Sequence, residues 1–406
     1  MMKYVIILGD GMPDYPLEEL DGKTPLEYAH TPNMDNLAQR GEMGKVVTIP
    51  DNLPAGSDVA NLSVFGYDPN KYYTGRSPIE AVAMGIDLSE KDVTFRCNLV
   101  TLSSEEAYEK KTMLDYSADE ISSSESELLI QEISEKMGSK KFAFYPGVSY
   151  RHIMVWQNPS EELDCILTPP HDISGKPVGD YLPSGSHGHV LLRFMEQSDT
   201  YLAKHPVNIR RMEKGLKPAN SIWLWGHGKR PHLTSFMEKY GISGSVISAV
   251  DLIKGLGLCA GLSAEIVPGA TGNINTDFSG KARRALEVLH SGKDFVYVHV
   301  EAPDEAGHRG ELETKIRAIE EIDNKVVKEI AFGLNDFPNY RLMVLSDHPT
   351  PLSLLTHTRD AVPFVITHKD AEPKNPQGVF SERFASEGLF FEKGFKLMDY
   401  FINNRS

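Results

Sequence analysis

Cysteine is scarce in this chain: Cys97, Cys165 and Cys259 are its only three in 406 residues. They are too few and too far apart for a disulfide framework or a CxxC zinc pattern, which points to a reducing compartment, the cytoplasm. No apolar run approaches the roughly 20 residues that a membrane helix needs. The first residues enter a strand-like run directly, with no basic or long apolar leader, so a soluble protein without a membrane partner is expected. Positive charge is also short: 42 Lys and Arg against 57 Asp and Glu give a formal charge of −15. That balance argues against nucleic acid or an anionic membrane as a partner. An anionic small molecule must then be met by local cations or bound metals. There is no GxxxxGK[ST] loop to cradle nucleotide phosphates, and no internal repeat.

What is present is alternation. Residues 3–8 read as a buried strand, and Thr31-Pro32-Asn33 opens a helix that Gly41 ends, with Thr31 as the expected cap. A second helix begins near Ser57 and stops at Gly66-Tyr67-Asp68-Pro69. From about Val93 the texture changes. VTFRCNLVTL is strand-like, an acidic serine-rich stretch at 117–127 reads as a solvated face leading into the helix LLIQEISEKM, and FAFYPGVSYRHIMVW reads as two strands. Prolines and glycines crowd residues 168–188. Beyond them helix and strand alternate again, through SIWLW, SVISAV, FVYVHV, the long amphipathic ELETKIRAIEEIDNKVVKEIA and LMVLS. Alternating βα units predict an α/β fold with a mostly parallel sheet flanked by helices. We place one discontinuous domain at 1–95 and 190–406, interrupted by an α+β insert at 96–189.

Seven polar side chains recur just past the apolar runs or in adjoining loops: Asp10, Ser57, Asp304, His308, Asp347, His348 and His357. A parallel sheet gathers the C-terminal ends of its strands along one edge, where open α/β folds place their sites. Three aspartates, three histidines and a serine suffice to bind two metal ions through oxygen and nitrogen. Taken singly, each has a plainer reading. Asp10-Gly11 is turn chemistry, Asp304 and His308 are spaced as a helical turn, and Ser57 suits a helix cap. Their conjunction favours the metal site.

The segments Gly9-Asp10-Gly11-Met12, Thr31-Pro32-Asn33-Met34-Asp35, Gly56-Ser57-Asp58, Gly66-Tyr67-Asp68-Pro69 and Tyr73-Thr74-Gly75-Arg76 carry a resemblance. So do Pro303-Asp304-Glu305-Ala306-Gly307-His308, Ser346-Asp347-His348 and Thr356-His357. Together they resemble the alkaline phosphatase superfamily and, within it, the archaeal-type cofactor-independent phosphoglycerate mutases. The resemblance implies an alkaline phosphatase-like catalytic domain with an inserted cap, two metal ions and a phosphoserine route that needs no 2,3-bisphosphoglycerate. By that similarity Asp304, His308 and His357 hold one metal, and Asp10, Asp347, His348 and the Ser57 oxygen the other. Manganese is the first choice, with magnesium, zinc or cobalt as alternatives.

A serine hydroxyl is a poor nucleophile at neutral pH, and a divalent cation can activate it without a neighbouring base. The expected reaction is interconversion of 3-phosphoglycerate and 2-phosphoglycerate through Ser57, under a lid that excludes water. Arg151, His152, His171, Asp172 and Lys254 are the candidates for gripping the small phosphorylated substrate. One departure stands out. The segment Trp223-Leu224-Trp225-Gly226-His227-Gly228 carries tryptophan where the mutases tend to have an arginine, and a proposed homoserine kinase-like branch has tryptophan there. Indole cannot replace a bidentate guanidinium, so phosphoryl transfer to a hydroxy-amino acid stands as the alternative. An inactive metal-binding scaffold is the third reading.

Overall fold

A computed structural model describes residues 2–404. The chain divides into two compact units. One runs from the N-terminus to Tyr73 and resumes at His232; the other is Thr74–Pro231.

The discontinuous unit is built on an eight-stranded sheet. Its order is Leu389–Phe391, Glu42–Val46, Val362–His368, Asn339–Leu345, Met2–Gly9, Phe295–Val300, Gly244–Ile247, Ser263–Glu265. Strand Met2–Gly9 lies parallel to both of its neighbours, with Leu8 opposite Leu345 and Gly9 opposite Val300. Val5, Ile6, Ile7 and Leu8 are fully buried, as an apolar run covered on both faces requires. That register matters: three neighbouring parallel strands end level, so Asp10, Glu301 and Asp347 emerge at the same edge. Two pairings, those of Val362–His368 with Asn339–Leu345 and with Glu42–Val46, are antiparallel, and the sheet is therefore mixed on that side. Among the described residues no helix is long and apolar enough to cross a membrane.

Helix Pro32–Arg40 forms where Pro32 predicts it, but Thr31 does not cap it. The buried carboxylate of Asp323 does, accepting from Asn33 N at 3.3 Å and Met34 N at 2.7 Å. Asp323 lies in a π-helical turn, Ile322–Val327, that interrupts the amphipathic run between helices Leu312–Glu321 and Lys328–Gly333.

The second unit is an antiparallel sheet. Val93–Leu102 is flanked by Arg151–Trp156 and Ser221–Gly228, with Met113–Asp115 and Phe142–Tyr145 outside. Helices Ser123–Met137 and Gly188–Leu202 supply Leu129, Ile133, Leu191 and Met195 to its core. This unit is wider than the 96–189 insert expected from the sequence, because Ser221–Gly228 pairs with Val93–Leu102 (Leu99 opposite Ile222) rather than joining the parallel sheet. Local helix–strand alternation at 190–230 carries no mark of which sheet its strand will enter. The stretch at 117–127 is also less solvated than expected, since Ala118, Ile121 and Ser126 are buried.

Candidate metal centre

All seven polar residues singled out at strand ends and loops lie in the discontinuous unit and come together there. Asp304 and His308 share one face of helix Ala302–Arg309, which starts directly after strand Phe295–Val300. His308 Nε2 stands 3.4 Å from Asp304 Oδ2, and His357 Nε2 3.3 Å from Asp304 Oδ1. The two imidazole nitrogens, His308 Nε2 and His357 Nε2, are 2.8 Å apart. Each ring directs its Nδ1 at a backbone carbonyl, Leu355 O at 3.0 Å and Ala55 O at 3.3 Å. With both Nδ1–H groups donating, both Nε2 lone pairs converge beside a carboxylate. Only a proton or a cation relieves that convergence, and without a cation the Asp304 carboxylate raises His308 to about 9. Burial opposes ionisation of Asp304, but hydrogen bonds from His308 and His357 prevail and hold it well below the usual carboxylate range.

The second group is Asp10, Asp347, His348 and Ser57. His348 Nε2 lies 3.6 Å from Asp10 Oδ1, 3.4 Å from Asp347 Oδ2 and 3.0 Å from Ser57 Oγ. Ser57 opens helix Ser57–Val64 after an extended Gly56, so it is the first helical residue and not the cap. The N-terminus of this helix and its dipole make this a place for an anion, although Val59 N already donates to Asp58 Oδ1 at 2.9 Å. Asn61, one turn on, donates to Asp347 Oδ2 and to Ser57 O, both at 2.9 Å, and accepts from Tyr297 Oη. Asp10 is pushed well up by burial and by the nearby Asp347 and Asp304. Its Oδ1 is buried without a hydrogen-bond partner. An orphaned carboxylate oxygen among aspartates costs free energy unless a cation meets it. Potential ligand atoms of Asp304, His348 and His357 lie within 4.8 Å of one another, as do those of Asp10, Asp347 and His348, and of Asp10, Glu301 and Asp304. The donor set therefore fits two adjoining divalent cations.

Several supporting residues carry no motif. His299 donates from Nε2 to Asp10 Oδ2 at 3.0 Å, while Ser248 Oγ stands 3.2 Å from its Nδ1. Thr350 donates to Asp304 Oδ1 at 2.5 Å. Gly11, at φ +64°, has room only for hydrogen, since a Cβ there would stand 2.7 Å from Asp304 Cα.

The substrate-grip candidates divide between the two units. Lys254, in the discontinuous unit, pairs with Asp251 at 2.7 Å. The others belong to the second unit. There His152 is buried, and its Nδ1 accepts from Gly147 N at 3.0 Å, which fixes a turn. Arg151, His171 and Asp172 are exposed. His171 packs edge-on to Trp225 at 5.2 Å. A cation in this unit that the sequence reading did not single out is Arg96: its guanidinium lies 4.4 Å over the Trp225 ring and its Nε 2.9 Å from Glu80, which also pairs with Arg76. Trp223 and Trp225 donate to Thr168 O and Asn98 Oδ1.

A serine at a helix start, among carboxylates and imidazoles on the C-terminal edge of a parallel sheet, defines the class: a metal-dependent phosphoryl-transfer enzyme. The sequence profile of the 2,3-bisphosphoglycerate-independent phosphoglycerate mutases matches residues 38–208. A probable 2,3-bisphosphoglycerate-independent phosphoglycerate mutase of Geobacter sulfurreducens is 51% identical, covering 99% of this chain and 100% of its own. The solved PH0037 protein of Pyrococcus horikoshii is 31% identical with a TM-score of 0.82, covering 100% of this chain and 98% of its own. The cofactor-independent phosphoglycerate mutase of Thermoplasma acidophilum is 26% identical with a TM-score of 0.68, and each chain is covered in full. The chain belongs to the 2,3-bisphosphoglycerate-independent phosphoglycerate mutase family. That family is metal-dependent and works without 2,3-bisphosphoglycerate.

Proposed function

We propose that this enzyme interconverts 3-phosphoglycerate and 2-phosphoglycerate through a phosphoserine at Ser57. Asp304, His308 and His357 would hold one divalent cation, and Asp10, Asp347, His348 and Ser57 Oγ the other, with Mn²⁺ the preferred ion. Such cations supply Lewis acidity, lowering the serine pKa and neutralising phosphoryl charge. The protein's own residues do the rest. Ser57 Oγ attacks phosphorus as the bond to the glycerate oxygen breaks; the serine gives up its hydroxyl proton and the departing glycerate oxygen takes one up, so the step is proton-neutral. First-turn N–H groups of the Ser57 helix face the phosphoryl oxygens. The retained glycerate then accepts the group on its other hydroxyl, restoring Ser57. Asn61 keeps Ser57 and Asp347 in fixed relation throughout.

The observation that carries this reading is the Ser57 hydroxyl 3.0 Å from His348 Nε2 at a helix start. The kinase-like alternative rested on tryptophan in place of arginine. It loses weight because Arg96, opposite Trp225 in the strand register, places a guanidinium on that indole. The test supplies 3-phosphoglycerate and Mn²⁺ without 2,3-bisphosphoglycerate and follows product through enolase. Turnover is expected, falling about 10³-fold or more in Ser57→Ala with the fold intact. Full activity in that variant, or ATP-dependent phosphorylation of homoserine in place of mutase turnover, would reject the proposal.

A further inference from the structure

Lys315 is one of two fully buried lysines among the described residues. It sits on helix Leu312–Glu321, and both its side chain and that of its partner Asp14 are fully shielded from solvent. Lys315 Nζ lies 2.7 Å from Asp14 Oδ2, 2.8 Å from Thr350 O and 3.4 Å from Pro13 O. Asp14 in turn accepts from Leu352 N, at 3.3 Å on Oδ1 and 3.1 Å on Oδ2, and from Tyr15 N at 2.8 Å. Its own N–H donates to Glu382 Oε1 at 3.1 Å, and Thr24 Oγ1 donates to the other oxygen of that carboxylate.

Burying an ion pair is costly, and an apolar pair of similar volume serves a core at least as well. What an apolar pair cannot do is bond to two separate loop carbonyls. Lys315 bonds to the loop after strand Met2–Gly9, which carries Asp10, and to the loop after strand Asn339–Leu345, which carries Asp347, His348 and His357. It stands on the helix that follows Asp304 and His308 after a single turn at Gly310, whose φ is +69°. The Thr350 residue whose carbonyl it holds also donates its hydroxyl to Asp304. One ammonium therefore touches or borders all three segments that bring carboxylates and imidazoles together. Those segments carry Asp10, Asp304 and Asp347, whose mutual repulsion would otherwise spread them.

We propose that the Lys315–Asp14 pair is a positioning device: it holds the three ligand-bearing segments in their converged arrangement before any cation binds. The proposal rests on the metal-site reading above, and it assigns Lys315 no contact with substrate. Loss of an outer partner of a metal ligand typically weakens binding 10–100-fold, and a shared tether falls in that range.

The test uses the full-length chain stripped of metal by chelator. Mn²⁺ affinity is measured by calorimetry, and amide exchange is followed across 10–16 and 347–357 in metal-free protein. In Lys315→Met, Mn²⁺ is expected to bind at least 10-fold more weakly. Exchange at 347–357 should accelerate while strands 2–9 and 339–345 stay protected. A folded Lys315→Met with unchanged affinity and exchange overturns the proposal. The double variant Lys315→Met/Asp14→Leu removes the unpaired carboxylate. If it recovers the affinity of the unaltered protein, the defect was only that stranded charge and the positioning role is refuted; if it stays weak, the role stands. The double variant also decides the matter should the single one fail to fold. Absence of Mn²⁺ binding to the unaltered protein would instead reject the metal-site reading, and the exchange comparison would still judge the tether.

Discussion

His299 and His152 are both buried histidines, and burial drives each to about 3, yet they do different work. His299 stays neutral and donates to Asp10, so it orients a proposed metal ligand and fixes which carboxylate oxygen remains open. His152 holds the turn at Gly147, and its Nε2 is buried without a partner. A neutral buried histidine makes the fold acid-sensitive in a defined window. Its folded pKa lies below the unfolded value near 6.5, so between them the unfolded chain binds more protons and stability falls as pH drops. The slope for one such group approaches about 1.4 kcal/mol per pH unit below roughly pH 6. Replacing His152 by Gln should therefore flatten the acid side of the urea midpoint measured between pH 7 and pH 5 in chelator, whatever it does to stability at pH 7. An unaltered slope in His152→Gln would mean that this ring is not a source of the acid sensitivity. At this scale the sequence was a partial guide: a His within a β-hairpin gives no sign of whether it faces a ligand or a turn.

Helix Ala302–Arg309 shows how an element converts spacing into a site. His308 follows Asp304 by four positions, so both leave one face, and Gly307 between them lets the helix lie against the loop that carries His348 and His357. A Cβ at Gly307 would stand 2.5 Å from Thr350 O and 2.9 Å from Thr350 Cγ2. Gly307→Ala should push the helix off that loop at about 1–3 kcal/mol, the usual cost of overpacking. It should weaken Mn²⁺ binding as well, seen as a smaller metal-induced rise in the thermal midpoint. A variant with the midpoint and metal response of the original chain would show that the packing there is loose. Elements of this kind were legible because apolar runs ending in Asp, Asp-His or Pro-Asp-x-x-x-His reveal strand ends and helical faces without any tertiary information. Asp323 capping a helix 290 residues away and Lys315 bonding across two loops were not. Both read as ordinary charges in an amphipathic helix, and only folding shows that their stretch of helix is enclosed. The strand Ser221–Gly228 was misassigned for a related reason: its partner, Val93–Leu102, lies more than a hundred residues upstream, beyond the reach of local pattern.

For the whole molecule, the decisive fact is that one unit is continuous in sequence and the other is not. The core of the second unit is drawn from its own strands and helices, from Val93 to Leu224. Its ends are tied together, Thr74 Oγ1 donating to Lys229 O at 2.6 Å. A segment with its own sheet, its own apolar core and adjacent ends has what a domain needs to fold alone. All seven proposed metal ligands, by contrast, come from the two stretches on either side of it. Excised 74–231 should therefore unfold cooperatively by circular dichroism, with a midpoint indifferent to Mn²⁺ or chelator. The intact chain should gain stability on adding Mn²⁺, by about 2.7 kcal/mol when the free ion is at 100 times its dissociation constant. That gain should vanish on chelation and shrink when His308 or Asp347 is replaced by Ala. If the excised segment is unstructured, the second unit depends on its host for folding. If its midpoint rises with Mn²⁺, metal binding is not confined to the discontinuous unit, and the two units do not divide the labour in this way.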